Sequence, residues 1–186
     1  MRINELIESA CHDMFNPELN LEIAKEYERI GQTASAVSFY LRAAEYGYGK
    51  GAIPYAALLR ASICFEDQKD RNITVSNVIL QAIAYMPERP EGYFLMSRFH
   101  ERSANWQECY TWAELGLSIA HEFEPLQVDV EYVNEHSLTF EKAVSAWWIG
   151  RRDESINLFN YLLKQDIPND YRKAITSNLE KINVAI

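Results

Sequence analysis

Glycine and proline are scarce in this chain of 186 residues, with seven of the first and six of the second. A fold of many turns and short strands would use more of both, so the scarcity favours long helices with few breaks. No apolar run reaches the roughly 18 residues of a membrane span, and insertion into a membrane is not expected. The first stretch, MRINELIESACHDMF, carries acids and no continuous apolar core, which does not read as a secretory leader. Cysteine is limited to Cys11, Cys64 and Cys109, an odd number at spacings that match no zinc or redox motif. Buried, reduced thiols and a reducing, cytoplasmic setting are the expectation. Between Ser103 and Glu141 there is neither Lys nor Arg, against eight acids. That run reads either as a solvated acidic face or as a docking surface for a basic partner. A formal net charge of −9 argues against nucleic acid as the main partner.

What the chain does have is apolar and aromatic weight, 48% and 12%, enough for a packed core. Residues 2–14 place Leu6, Ile7, Ala10, Cys11 and Met14 at helical spacing. Asn16-Pro17 reads as a cap followed by a first-turn proline, opening a helix over 17–30 that Gly31 ends. A further helix runs from about 33 to 46. The pattern recurs in YAALLRASICF, then, after the polar turn DQKDRN, in VSNVILQAIAYM, which Pro87 stops. It recurs again in ERPEGYFLMSRFHERS and WQECYTWAELGLSIA, in LTFEKAVSAWWIG and ESINLFNYLLK, and in NDYRKAITSNLEKI. The segment HEFEPLQVDVEYVNEHS breaks the rhythm with Pro125 and the alternating Leu126, Val128 and Val130, and reads as an irregular or extended connector. About ten helices in pairs, without convincing strand pairs, predict an all-α helical repeat.

The repeat has a physical logic. With Ala24 at zero, Tyr27 falls at +3, Gly31 at +7, Ala36 at +12, Tyr40 at +16 and Ala43 at +19. Small residues at zero and +12 let two antiparallel helices cross closely, and the rings fill the space beside the crossing. The glycine permits the turn between them. From Ser97 the same offsets give His100, Ala104, Cys109, Ala113 and Gly116. From Ala143 they give Ala146, Gly150, Ser155, Phe159 and Leu162. From Ala61 they give Cys64 and Gln68, and then Val75, Ile79 and Ala82 after a two-residue insertion. This pattern resembles the tetratricopeptide repeat (TPR), whose small residue, Tyr and A-x3-F signature is met by Ala24, Tyr27 and A-V-S-F-Y at Ala36–Tyr40. Asn20 stands where the signature has Trp, and no Pro closes the first copy.

The span 88–183 is narrower in its likeness. Its order of features, with the A-W-W-x-G-R-x-x-E-S block at Ala146–Ser155, resembles the TPR segment attached to some family 2 glycosyltransferases. The catalytic part of such enzymes is missing. Asp129-Val130-Glu131 superficially resembles their metal-binding acidic motif, but no parallel-sheet pattern surrounds it and the chain has no room for a nucleotide-binding domain. Coordination needs several ligands converging in space.

Nothing else in the sequence points to catalysis. His12, His100, His121 and His136 do not pair at ligand spacing, and His100 stands in the place of a packing ring. There is no G-x-S-x-G, P-loop, G-x-G-x-x-G or H-E-x-x-H. Cys64 and Cys109 occupy small packing positions. Trp147 and Trp148, about 100° apart on a helix, cannot both face one ligand, so one is expected buried and the other in a groove. No cofactor, metal or catalytic residue is expected.

The resemblance implies where binding would occur. In TPR arrays the first helix of each pair lines a concave face, through positions −6, −3, +1 and +4. Here those positions hold Glu18, Leu21, Lys25 and Glu28, then Tyr55, Leu58, Ser62 and Phe65. The later copies place Glu91, Phe94, Arg98 and Glu101, then Ser137, Phe140, Val144 and Trp147. Tyr55, Leu58, Phe65, Phe94, Arg98, Glu101, Phe140 and Trp147 are the candidate groove residues for a protein or peptide partner. The groove is either open or covered by the connector or the terminal helix. The expected organisation is one TPR-like domain over 1–186, with an N-terminal helix in 1–15 and helix pairs in 16–47, 51–87, 88–120 and 136–165. The connector falls at 121–135 and a terminal helix at 169–184. The expected role is a non-catalytic adaptor or assembly subunit. Alternatives are an accessory module for a glycosyltransferase on a separate chain, and a structural subunit of a large, for instance viral, assembly. Homo-oligomers are a further expectation.

Overall fold

The computed structural model describes residues 2–119 and 123–184, so His121 and Glu122 lie outside it. Ten helices follow in order: α1 (Arg2–His12), α2 (Pro17–Arg29), α3 (Thr33–Tyr46), α4 (Ile53–Asp67), α5 (Asn72–Tyr85), α6 (Glu91–Arg102), α7 (Trp106–Ile119), α8 (Glu135–Trp148), α9 (Arg152–Leu163) and α10 (Asn169–Val184). The fold is all-α, and no strand occurs among the described residues. α1 ends two residues before the expected Met14, where Asn16 Nδ2 donates to Asp13 and closes a turn. α5 begins three residues before the expected Val75. The cap at Asn16 forms as anticipated, its side chain accepting from the Leu19 amide at 2.9 Å.

The chain divides into two compact units. The first is Met1–Gly92 with Glu122–Val130, and the second is Tyr93–His121 with Glu131–Ile186. In the first unit α2 packs on α3, α3 on α4 and α4 on α5. Ala24 and Ala36 are fully buried at the α2–α3 crossing, and Tyr40 and Ala43 lie buried beyond it. Ala61 and Val75 take the same places in α4 and α5. The two inserted residues are absorbed by a turn in which Lys69 and Asp70 adopt left-handed φ values of 58° and 51°.

In the second unit α7 packs on α8, α8 on α9 and α9 on α10. The small residues at the crossings are partly polar. Ser97 Oγ donates to the Cys109 carbonyl at 2.9 Å, joining α6 to α7, and Ser155 Oγ donates to the Ala143 carbonyl at 2.7 Å, joining α9 to α8. Phe159, Leu162, Ile167, Ile175 and Ile182 pack around Ala143 as the apolar core of α8, α9 and α10. The turn position is left-handed in three copies, at Gly31 (77°), Gly150 (86°) and Ala104 (54°), and the last carries a Cβ against the steric preference. Gly116, at +19 in the third copy, sits where an added Cβ would meet both Cδ atoms of Leu138 and Cβ of Tyr93 at 2.9 Å. The absence of a side chain there is what lets α7 approach α8 and α6.

Candidate functional site

The first helices of the first unit carry a polar clamp. Glu28 on α2 accepts from Arg60 Nε at 2.9 Å and Nη2 at 2.5 Å, and from Tyr40 Oη at 2.6 Å. The bidentate pair leaves Nη1 of Arg60 free of Glu28, and it donates to the main-chain carbonyl of Asp129 at 2.6 Å. Burial, and then Glu28, push the Tyr40 phenol well above its ordinary value, and Glu28 holds the Arg60 guanidinium up against the opposing cost of burial.

A second arginine works in the same way. Arg89 is buried and pairs with Glu91 through Nε at 3.1 Å and Nη2 at 2.5 Å. Nη2 also donates to the main-chain carbonyl of Glu124 at 3.0 Å. Its guanidinium lies 4.8 Å from the Phe123 ring centroid and 5.8 Å from that of Tyr55. Residues 123–130 are therefore seated on this unit by two arginine-to-carbonyl contacts, the Phe123 ring at one end and the buried Val130 at the other. Beside them is a cleft of about 390 Å³, walled by Lys25, Glu28, Arg29, Tyr40 and Arg60 on one side and by Gln127, Val128 and Asp129 on the other.

In the second unit, residues 131–134 continue along α6 and α8. Tyr132 packs on Phe94 with ring centroids 5.5 Å apart, Glu131 pairs with Arg98, and the Val133 amide donates to Ser137 Oγ at 3.2 Å. Tyr171 Oη of α10 donates to the same hydroxyl at 3.0 Å, and its ring meets Phe140 edge-on at 5.2 Å.

The candidate groove residues thus fall into three groups. Tyr55, Phe65 and Phe94 are buried, at 0%, 9% and 1% exposure. Tyr55 Oη accepts from the Gly92 amide at 2.8 Å, and Phe65 lies under the Arg71 guanidinium at 5.5 Å. Arg98, Glu101, Phe140 and Trp147 are half-buried, Trp147 under the Arg152 guanidinium at 4.9 Å. Leu58 lies elsewhere. It lines a cleft of about 600 Å³ between the second helices α3 and α5, with Leu41, Ala44, Tyr48, Ala84 and Tyr85. At −3 its side chain points back toward the second helices of its neighbours, which the offset alone did not convey. Trp148 is 60% exposed and stacks on Trp106 at 5.2 Å and 14°, so the more exposed tryptophan of the pair joins another ring.

Three charged side chains withdrawn from solvent are not among the groove candidates read from the sequence: Arg60, Arg89 and Glu141. Two residues before the zero position the second and third copies carry Leu59 and Leu95, both buried, the first carries the half-buried Glu22, and the fourth carries Glu141 at 7% exposure. Burial first, and Glu101 second, push its carboxyl up to about 7, against the pull of Arg98 and Arg102. The acidic run is therefore solvated at Glu108, Glu114, Glu124, Asp129, Glu131 and Glu135, but not at Glu141. Of the thiols, Cys64 and Cys109 are buried and pushed up to about 12 and about 11, chiefly by burial, whereas Cys11 is exposed at the end of α1, contrary to the expectation for it. His100 and His136 each bury an Nδ1 that has no partner. No group of three or more His, Cys, Asp or Glu able to hold a metal occurs among the described residues. No described helix is long and apolar enough to cross a membrane.

The helix order and crossings define a TPR-like class of fold, and solved structures agree. The chain is similar to MamA, with 17% identity and a TM-score of 0.65 over 92% of this chain and 88% of that one. It is similar to a tetratricopeptide repeat protein from Parabacteroides merdae, at 16% identity and a TM-score of 0.65 over 87% of this chain and 57% of that one. A thermophilic TPR protein of Thermus thermophilus matches at 14% identity and a TM-score of 0.62, over 95% of this chain and 88% of that one. At such identities the likeness speaks for the fold alone. No family model matches the sequence, and no curated protein matches it.

Proposed function

We propose that this chain is a non-catalytic protein-binding module, an adaptor or assembly subunit that takes an extended segment of a partner on its first-helix faces. The observation that carries this reading is the seating of residues 123–130 on the first unit. A stretch without helix or strand is held there by Arg60 and Arg89 through its main-chain carbonyls. A face that holds one irregular segment, bent at Gln127 and Val128, has the donors and the ring contact to hold another. The reading places the protein in the reducing cytoplasm, without a cofactor.

The test is capture of partners from the native host by the tagged chain. Arg60→Ala with Arg98→Ala is expected to lower capture at least tenfold with helicity retained, while Trp148→Ala leaves it intact. Capture that is indifferent to the arginines and lost with Trp148 would move the binding surface to the Trp106–Trp148 stack. The accessory role beside a glycosyltransferase and the place in a larger assembly are special cases of this reading, told apart by which protein is captured. Light scattering decides whether copies of the chain associate.

A further inference from the structure

We propose that the cleft between α3 and α5 is a separate docking site on the first unit, and that its occupant is an amphipathic helix of another protein whose apolar stripe ends in a basic residue. The site lies on the second helices, apart from the first-helix face, and stands or falls independently of the reading given for that face.

The walls of the cleft have helical spacing. α3 lines it with Leu41, Ala44, Glu45 and Tyr48, at i, i+3, i+4 and i+7. α5 lines it with Gln81, Ala84 and Tyr85, at i, i+3 and i+4. Both helices pack on α4, which adds Pro54 and Leu58 to the lining. Each wall thus carries one alanine between larger side chains. Elsewhere in this unit such alanines mark the places where one helix crosses another, and Ala24, Ala36 and Ala61 are fully buried there. In the cleft Ala84 is exposed and Ala44 only half-buried, and Leu41 and Tyr48 are 39% and 78% exposed. It is a helix-packing surface without its helix, and its volume of about 600 Å³ leaves room for the side chains of one face.

Charge selects the occupant. Glu45 is the single charged residue among the described residues of the lining, and it has no ion-pair partner among the described residues. The one cation of α3, Arg42, lies over the Phe39 ring at 5.0 Å. One turn beyond Glu45, Tyr48 meets Tyr85 with ring centroids 5.6 Å apart and planes at 59°. Tyr85 is fixed in place, since its Oη accepts from the Gly49 amide at 3.1 Å and donates to the Gly51 carbonyl at 3.2 Å. A carboxylate beside two tyrosine rings attracts a cation through its charge and through the ring quadrupoles, and repels an acid. The helix that fits brings aliphatic side chains to Leu41, Leu58 and the two alanines, and a Lys or Arg to Glu45 and the tyrosines.

Nuclear magnetic resonance of the ¹⁵N-labelled full chain tests this. The probe is a peptide of about 18 residues, long enough to be helical, with Leu at i, i+3, i+4 and i+7, Lys one turn beyond, and Ala and Gln elsewhere. Its twin carries Glu in place of Lys. The lysine peptide is expected to shift the backbone amides of residues 41–48 and 81–85 and to bind about tenfold more tightly than its twin. Glu45→Gln is expected to weaken the lysine peptide about threefold, the size of an exposed ion pair. Glu45→Lys is expected to reverse the order of the two peptides, which a difference in peptide helicity cannot do. Ala84→Phe fills the cleft from an exposed position and is expected to remove the shifts for both. Should that variant lose helicity, the reversal at Glu45 decides alone. Arg60→Ala, which tests the first-helix face, is expected to change nothing here. The proposal is overturned if the twins bind equally, if Glu45→Lys does not reverse them, or if Arg60→Ala removes the binding. It is also overturned if the shifts fall outside the cleft or are absent at about 1 mM peptide. Self-association of the chain that Ala84→Phe abolishes would overturn it too, by giving the cleft to a second copy.

Discussion

The two units solve the same packing problem with different chemistry. In the first, Ala24 meets Ala36 and Ala61 meets Val75, so the helix crossings are hydrocarbon. In the second, each crossing contains a serine whose hydroxyl bonds the carbonyl of the small residue across from it, Ser97 to Cys109 and Ser155 to Ala143. What the position demands is therefore small volume, and a hydroxyl is admitted because an acceptor lies within reach. The repeat is defined by a shape, and its sequence can drift as long as the shape is kept.

The hardest way to break the comparison is at +19. The first unit carries Ala43 and Ala82 there, both fully buried, whereas the second carries Gly116 in one copy and Leu162 in the other. Gly116→Val is expected to cost more than about 3 kcal/mol, because its Cβ already meets Leu138 and Tyr93 at 2.9 Å and two methyl groups must follow. Thiol labelling localises the damage. Cys109 reports the second unit and Cys64 the first, both buried and poorly ionised, so alkylation follows opening. Cys109 is expected to label faster in the variant and Cys64 to keep its wild-type rate, while Cys11 labels at once in both.

Next in size is the carboxyl in the leucine's place. Unfolded, Glu141 titrates near its ordinary 4.5, and folded at about 7. Between these values the folded chain holds a proton that the unfolded chain has lost. Its contribution is greatest below pH 4.5, falls as pH rises through that window, and is flat above about 7. Glu141→Leu, which restores the residue type of Leu59 and Leu95, is expected to abolish this slope and to stabilise the chain by about 3 kcal/mol above about pH 7. Glu141→Gln abolishes the slope without changing the shape. Urea unfolding from about pH 4 to about pH 8 measures both, and an unchanged slope in either would show that Glu141 does not titrate in this window.

The smallest effect is at the serines themselves. Ser155→Ala is expected to cost about 1 kcal/mol, the usual net worth of one such hydrogen bond, with no change in the steepness of urea unfolding. The reverse change in the first unit, Ala24→Ser, is expected to return no more than a few tenths, since nothing there has been shaped to receive the hydroxyl. Equal and opposite effects would mean that the two crossings are interchangeable after all.

Most of the fold was legible in the sequence because it rests on local spacing. The offsets from Ala24, Ala61, Ser97 and Ala143 locate the crossing within each helix pair, and the two-residue insertion after Gln68 appears as the Lys69–Asp70 turn. The binding face was less legible. Helical offsets put Tyr55, Phe65 and Phe94 on the first-helix face but could not say that Arg89, Arg71 and Tyr132 cover parts of their rings. Those contacts join residues six to 38 positions apart, with no periodicity linking them. That the connector would cover this face was one of two readings the sequence left open, but the groups that seat residues 123–130 were invisible, since main-chain carbonyls leave no trace in composition. The offset −2 holds leucine in two copies and glutamate in two, Glu22 and Glu141, so spacing alone did not tell the buried carboxyl from the half-buried one.

The first unit is assembled from two stretches of chain, Met1–Gly92 and Glu122–Val130, separated by Tyr93–His121 of the second. Synthesis therefore delivers its last piece late. A nascent chain that has reached Gly92 still lacks the segment whose carbonyls Arg60 and Arg89 contact, and must add the rest of α6 and α7 before that segment emerges. At roughly 5–20 residues per second this leaves a few seconds in which the arginine face of the growing chain is uncovered.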